Sequence, residues 1–146
     1  MIGFNHALTG GLIAKYLPLP LALPVAFMSH FALDSLPHFG INPTKKNKSW
    51  FWKIFTTLDA LATLGLAIYA IYDRHYAMFL GGLAGVTPDF IWVGTVAKTK
   101  SFDFRKVDNR FAKWHSGVQG IERWWGILIE LPLAIILFYI VMIRIW

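Results

Sequence analysis

Two apolar runs, "FWKIFTTLDALATLGLAIYAIY" over residues 51–72 and "WWGILIELPLAIILFYIVMI" over residues 124–143, constrain this chain more than any other feature. Each matches the roughly 20 helical residues that cross a hydrocarbon core, and each opens on aromatics of the kind that settle at a membrane interface. The rest of the chain agrees. Hydrophobic residues make up 56% of the sequence and mean hydropathy is +0.51, well above an ordinary soluble domain. Residues 76–97 form a third candidate span, and residues 7–38 can supply two short helices joined near Pro18 and Pro20. The expected fold class is therefore all-α: a single transmembrane helical bundle of about five short or full spans.

Local signals place the ends. Leu36 precedes Pro37, which disfavours continuing a helix, so the second helix is expected over about 21–36. "DRH" at 73–75 makes a tight turn. The next span, "GGLAGVTPD", carries Gly81, Gly82, Gly85 and Pro88, and Thr87, Pro88 and Asp89 read as the cap and first positions of a new helix. The fourth span is thus expected to break near Gly82–Pro88, into about 76–85 and 88–97. A short interfacial helix is expected around 108–119 and a last span over about 122–145. "MIGFNHALTGG" lacks the basic n-region and cleavage site of a signal peptide, so the N-terminus is expected to be mature.

The net charge of +6 is concentrated in loops: Lys45, Lys46 and Lys48 in one, and six basic residues against Asp103 and Asp108 over 98–113 in another. Basic loops of this length stay cytoplasmic, where they also meet anionic lipid headgroups. This bias accounts for the charge, so no nucleic-acid partner is expected. The expected location is the inner (plasma) membrane, multi-pass, with Met1 cytoplasmic and Trp146 outside.

With both basic loops inside, the ionisable residues of the apolar segments share a depth. His6 begins the first helix, and His30, Asp34 and His38 lie at the end of the second. Asp59 is nine residues past Trp50, about 13 Å along a helix. Asp89, Glu130 and His115 are also near the cytoplasmic ends, whereas His75 sits in a polar turn on the other side. A carboxylate at the bilayer centre costs about 2.5–3.5 kcal/mol on insertion scales, so Asp34, Asp59, Asp89 and Glu130 call for compensation. His30 and Asp34 in "SHFALDSLPH" are four apart, on one helical face. Without cysteine, a metal must be held by imidazole and carboxylate. A divalent cation, zinc foremost, is expected on His30 and Asp34, with His6, His38, Asp89 or His115 completing the shell. Asp59 and Glu130 are the general-base candidates. Free backbone N–H groups near Thr87 would favour a phosphate beside the metal, which suits metal-assisted hydrolysis of a phosphoester or phospholipid-type substrate. Two other readings use the same residues: a non-enzymatic transport or metal-binding protein, and a scaffold whose polar groups hydrogen-bond helices together.

"NHALTGG", "FMSHFALDSLPH", "TPDF" and "WHSG" together resemble the predicted membrane-bound metal-dependent hydrolases of the inner membrane, which carry an "SHxxxD" motif. The H-x-x-x-D pair is also similar to that of the helical zinc-dependent phospholipase C and nuclease group. The resemblance implies a ligand role for His30 and Asp34, and matches His6, Asp89 and His115 to the family's other polar segments. "TPDFIW" departs from the family pattern in lacking a second aspartate and a histidine.

Overall fold

A computed structural model describes residues 1–41, 49–99 and 109–144. Lys45, Lys46, Lys48, Asp103 and Asp108 lie outside the described residues. The described chain is mostly helical: α1 (Gly3–Tyr16), α2 (Leu19–Asp34), α3 (Trp50–Tyr72), α4 (Tyr76–Thr99), α5 (Arg110–Val118) and α6 (Ile127–Arg144). Two short strands, β1 (His38–Phe39) and β2 (Glu122–Arg123), and a 3-10 turn at Trp124–Gly126 complete it.

Three helical stretches are long and apolar enough to cross a membrane, Trp50–Tyr72, Tyr76–Thr95 and Trp124–Met142. α1 and α2, at 14 and 16 residues, fall short of that length. The outward faces fit a lipid solvent. Leu58, Leu61, Leu64 and Ile68 on α3 and Leu128, Ile135 and Ile136 on α6 are all exposed.

Element ends follow the sequence signals. α1 stops where Leu17 turns extended before Pro18, which then N-caps α2. The Ser49 hydroxyl accepts from the Trp52 N–H at 3.2 Å to start α3, and Asn109 Oδ1 accepts from the Ala112 N–H at 3.1 Å to start α5. Arg74, at φ 62°, makes the left-handed step between α3 and α4.

The expected break in the fourth span is corrected: α4 runs unbroken from Tyr76 to Thr99 with Pro88 inside it. Pro88 has no N–H for the Ala84 carbonyl, but one missing bond is tolerated where neighbouring helices hold the segment. The Thr87 hydroxyl donates to the Leu83 carbonyl at 2.7 Å, one turn back along the same helix. Thr87 is therefore no helix start, and the phosphate-binding role expected of it falls with the break.

The glycines serve packing instead. α1 is the hub of the bundle, touching α2, α3, α4 and α6, and its most extensive contact is with α4. Gly10 of α1 meets Gly81 of α4 backbone to backbone: a Cβ on Gly10 would overlap the Gly81 carbonyl, and a Cβ on Gly81 would overlap the Gly10 carbonyl and Ala14. Small residues permit this approach between apolar helices, where packing rather than water exclusion holds them together. Ala7, Leu8, Leu66, Ala70, Met78, Leu137 and Val141 form the apolar core, which begins at the residue after His6 and extends toward the α3–α4 turn.

At the other end β1 pairs in parallel with β2, His38 opposite Glu122 and Phe39 opposite Arg123. Gly126 lies so close under the His38 backbone that no side chain fits there. This tie fixes the chain leaving α2 against the chain leaving α5.

Candidate metal centre

The site grows from the close contact of α1 with α4. That approach carries His6 inward, while α2 delivers His30 and Asp34 from adjacent turns, α4 delivers Asp89, and the amphipathic α5 delivers His115. His6, His30, Asp34 and His115 are fully buried. Two groups of ligand-capable atoms result, His6 with His30 and Asp34, and His30 with Asp89 and His115, each with its atoms within 4.8 Å of one another. His30 belongs to both.

Asp34 is the collecting point. Its Oδ1 faces His6 Nε2 at 3.2 Å and the amino group of Met1. Its Oδ2 faces His30 Nε2 at 3.2 Å and His115 Nε2 at 2.9 Å, and accepts from the Gln119 amide at 3.0 Å. The His6 and His30 rings stack with centroids 3.9 Å apart.

His30 fixes the electrostatics. Its Nδ1 lies 2.9 Å from the Gly85 carbonyl. A carbonyl can only accept, so Nδ1 carries the proton and, in the neutral ring, Nε2 presents a lone pair. That lone pair faces Asp34 Oδ2 at 3.2 Å, His115 Nε2 at 3.0 Å and Asp89 Oδ1 at 3.7 Å. Acceptors do not converge in a buried place without a positive charge among them. The Met1 amino group on Asp34 Oδ1 supplies one positive charge, and a metal cation held at His30 Nε2 would supply another.

The donor set fits a metal. Zinc takes imidazole nitrogen and carboxylate oxygen at about 2.0–2.1 Å, and tetrahedral angles then set ligand atoms about 3.3 Å apart, close to the spacings around Asp34. The Gly85 carbonyl on His30 Nδ1 is the kind of outer contact that fixes the tautomer of a ligating histidine. The Nδ1 atoms of His6 and His115 are buried with no partner among the described residues.

Of the residues singled out in the sequence, His6, His30, Asp34, Asp89 and His115 come together, and His38 stands beside them but in neither ligand group. His38 Nδ1 faces the Leu36 carbonyl at 2.7 Å, and burial pushes its imidazole below the ordinary value. Its Nε2 is left buried without a partner among the described residues.

Asp59 and Glu130 are placed elsewhere, at the start of α1. Ile2 precedes that helix and offers no side-chain cap, so its first N–H groups need acceptors from other helices. Asp59 of α3 accepts the Gly3 N–H through Oδ2 and the Phe4 N–H through Oδ1, both at 2.9 Å. Glu130 of α6 accepts the Ile2 N–H at 2.7 Å, and its backbone carbonyl accepts from the Asn5 amide at 3.2 Å. Asp59→Ala is expected to cost roughly 2–3 kcal/mol, the penalty for stranding buried donors, with Asp59→Asn losing less. Thermal unfolding in detergent checks this. An Asp59→Ala protein that melts like wild type and loses only turnover would return Asp59 to the general-base role.

Gln119 was not legible as a site residue. Its only signal was a position four residues after His115, one helical turn along α5.

Compared with models of known families, with curated proteins and with solved structures, the chain matches none.

Proposed function

We propose that the chain is an integral-membrane, metal-dependent hydrolase acting on a phosphoester at the cytoplasmic face of the inner membrane, with α1 and α2 joining the three long spans to give five helical segments in the bilayer. The observation that carries this reading is the convergence of buried imidazole and carboxylate atoms on His30 Nε2, which joins the His6–Asp34 group to the Asp89–His115 group. The resemblance of "SHFALD" to the membrane hydrolase motif points the same way.

His30 and Asp34, with His6 or His115 as the third ligand, would hold a divalent cation, zinc by donor type, and leave a fourth position open to water. Such a cation supplies Lewis acidity, polarising a phosphoryl oxygen and making water a better nucleophile at neutral pH. The protein's own groups do the rest. The Gly85 carbonyl holds His30 in one tautomer, and Gln119 keeps Asp34 turned toward the imidazoles. Asp89, whose side chain is 26% exposed and reaches a cavity, is positioned to take a proton from the attacking water. The water oxygen bonds to phosphorus, the bond from phosphorus to the alcohol oxygen breaks, and that oxygen leaves with the proton that Asp89 took from the water.

The commitment of Asp59 and Glu130 to backbone N–H groups favours a second reading, a metal-binding or transport protein without turnover. Membrane vesicles loaded with zinc or manganese separate the two. Inside-out vesicles are expected to hydrolyse p-nitrophenyl phosphate, which does not cross a bilayer, while right-side-out vesicles are not. Bound metal with no turnover of this ester or of phosphatidic acid overturns the hydrolase and leaves the metal-binding protein.

A further inference from the structure

A cavity of about 630 Å³ lies between α3 and α4, with the start of α1 behind it, within the range of small-molecule sites. The two helices are joined by a tight turn but touch only sparsely along their lengths. On α3 the cavity is lined by Ala60, Thr63, Ala67 and Ala70 at three- and four-residue spacing, so one helical face presents small side chains to it. Leu64, Leu83 and Phe90 line it and are also 56%, 41% and 58% exposed. In a membrane that exposure is to lipid, and the cavity therefore opens sideways into the bilayer.

Its two ends differ in chemistry. One reaches Ala70, Met78 and Phe79 and is wholly apolar; the other reaches Asp89, Gln119 and His38. Asp89 belongs to the ligand cluster and Gln119 donates to Asp34. His38 brings its Nε2, buried and without a partner among the described residues, to this polar end, and with the proton on Nδ1 that nitrogen accepts from a hydroxyl. From Asp59 to Ala70 the wall rises about 16 Å at 1.5 Å per residue, close to the roughly 15 Å of one leaflet of the hydrocarbon core.

We infer that this cavity is the slot for a single hydrocarbon chain of a lipid substrate, which enters from the bilayer between α3 and α4 and brings its phosphoester to the Asp89 end and a headgroup hydroxyl to His38. The inference rests on the hydrolase reading for the reaction, while the slot itself is testable without turnover.

The probe is a phosphonate analogue of lysophosphatidic acid, which cannot be hydrolysed, carrying a photoactivatable diazirine at mid-chain, in phosphatidylcholine vesicles containing the full chain. Crosslinks are expected on α3 over 63–70 and on α4 over 79–86. Ala67→Trp and Ala60→Trp, which fill the slot at two heights, are expected to reduce them about tenfold, while Ile68→Trp, on the 58% exposed face of α3, is expected not to. Metal content of each variant reports whether the bundle is intact. Crosslinking of this pattern with no hydrolysis of any phosphoester leaves the slot standing and removes the hydrolase. Turnover of lysophosphatidic acid with crosslinks scattered over the protein, or equal in Ala67→Trp and Ile68→Trp, removes the slot and leaves the hydrolase.

Discussion

Alanine at His30 or at Asp34 will strip the protein of metal. The wild type, purified in detergent and exposed to zinc or manganese, is expected to retain the ion through desalting. Both variants are expected to fall to background in elemental analysis, with affinity reduced by more than the 10- to 100-fold typical of losing an outer contact. His30 is the member shared by both ligand groups, so its loss dismantles both. Asp34 gathers His6, His30 and His115, and without it the only carboxylate left beside these imidazoles among the described residues is Asp89, which is farther from His30, at 3.7 Å. Some loss of stability will accompany either change, because each leaves a buried partner uncompensated. His75→Ala, in the turn between α3 and α4, is the control and is expected to bind like wild type. If the wild type is metal-free, or if both variants keep as much ion as it does, the Met1 amino group alone balances Asp34 and the polar residues serve to join helices.

Leucine at Gly81 will damage the bundle severely. Even its Cβ would overlap the Gly10 carbonyl and Ala14, and the rest of the side chain has only the α1–α4 contact to enter. Overpacking of this kind costs about 3 kcal/mol or more when backbone has to move, a large part of an ordinary folding stability. The damage reaches the metal centre, because α1 carries His6 and α4 carries Asp89 and the Gly85 carbonyl that orients His30. Gly81→Leu is expected to lower both melting temperature and bound metal. Gly65→Leu on α3, where a Cβ meets nothing within 4 Å, is expected to lower neither. Equal melting of the two variants would mean that α1 and α4 are not in backbone contact.

The convergence of the cluster was legible because the cost of a charge in lipid makes ionisable residues informative: His6, His30, Asp34, Asp89 and His115 sit at matching distances from segment ends, and the structure joins them. Less legible was what the acids compensate for. Ile2 offers no cap to α1, and nothing near it in sequence indicates that Asp59, from another helix, supplies one. Gly81, Gly82, Gly85 and Pro88 read as a break because local propensity was weighed alone. The matching small residues Ala7, Gly10, Gly11 and Ala14 lie some seventy positions earlier, and the contact between the two sets keeps α4 continuous. The five-span expectation met a similar limit, since α1 and α2 are apolar but short.

The dependence of α1 on distant acceptors bears on how the protein is made. α1 precedes every other helix in the chain, yet its opening N–H groups wait for Asp59 of α3 and then for Glu130 of α6. Until α6 is made the Ile2 N–H lacks its Glu130 acceptor, and only the arrival of that last helix completes the end of α1. Assembly of the metal centre, which needs His6 on that same helix, is thereby deferred until the whole chain is in place.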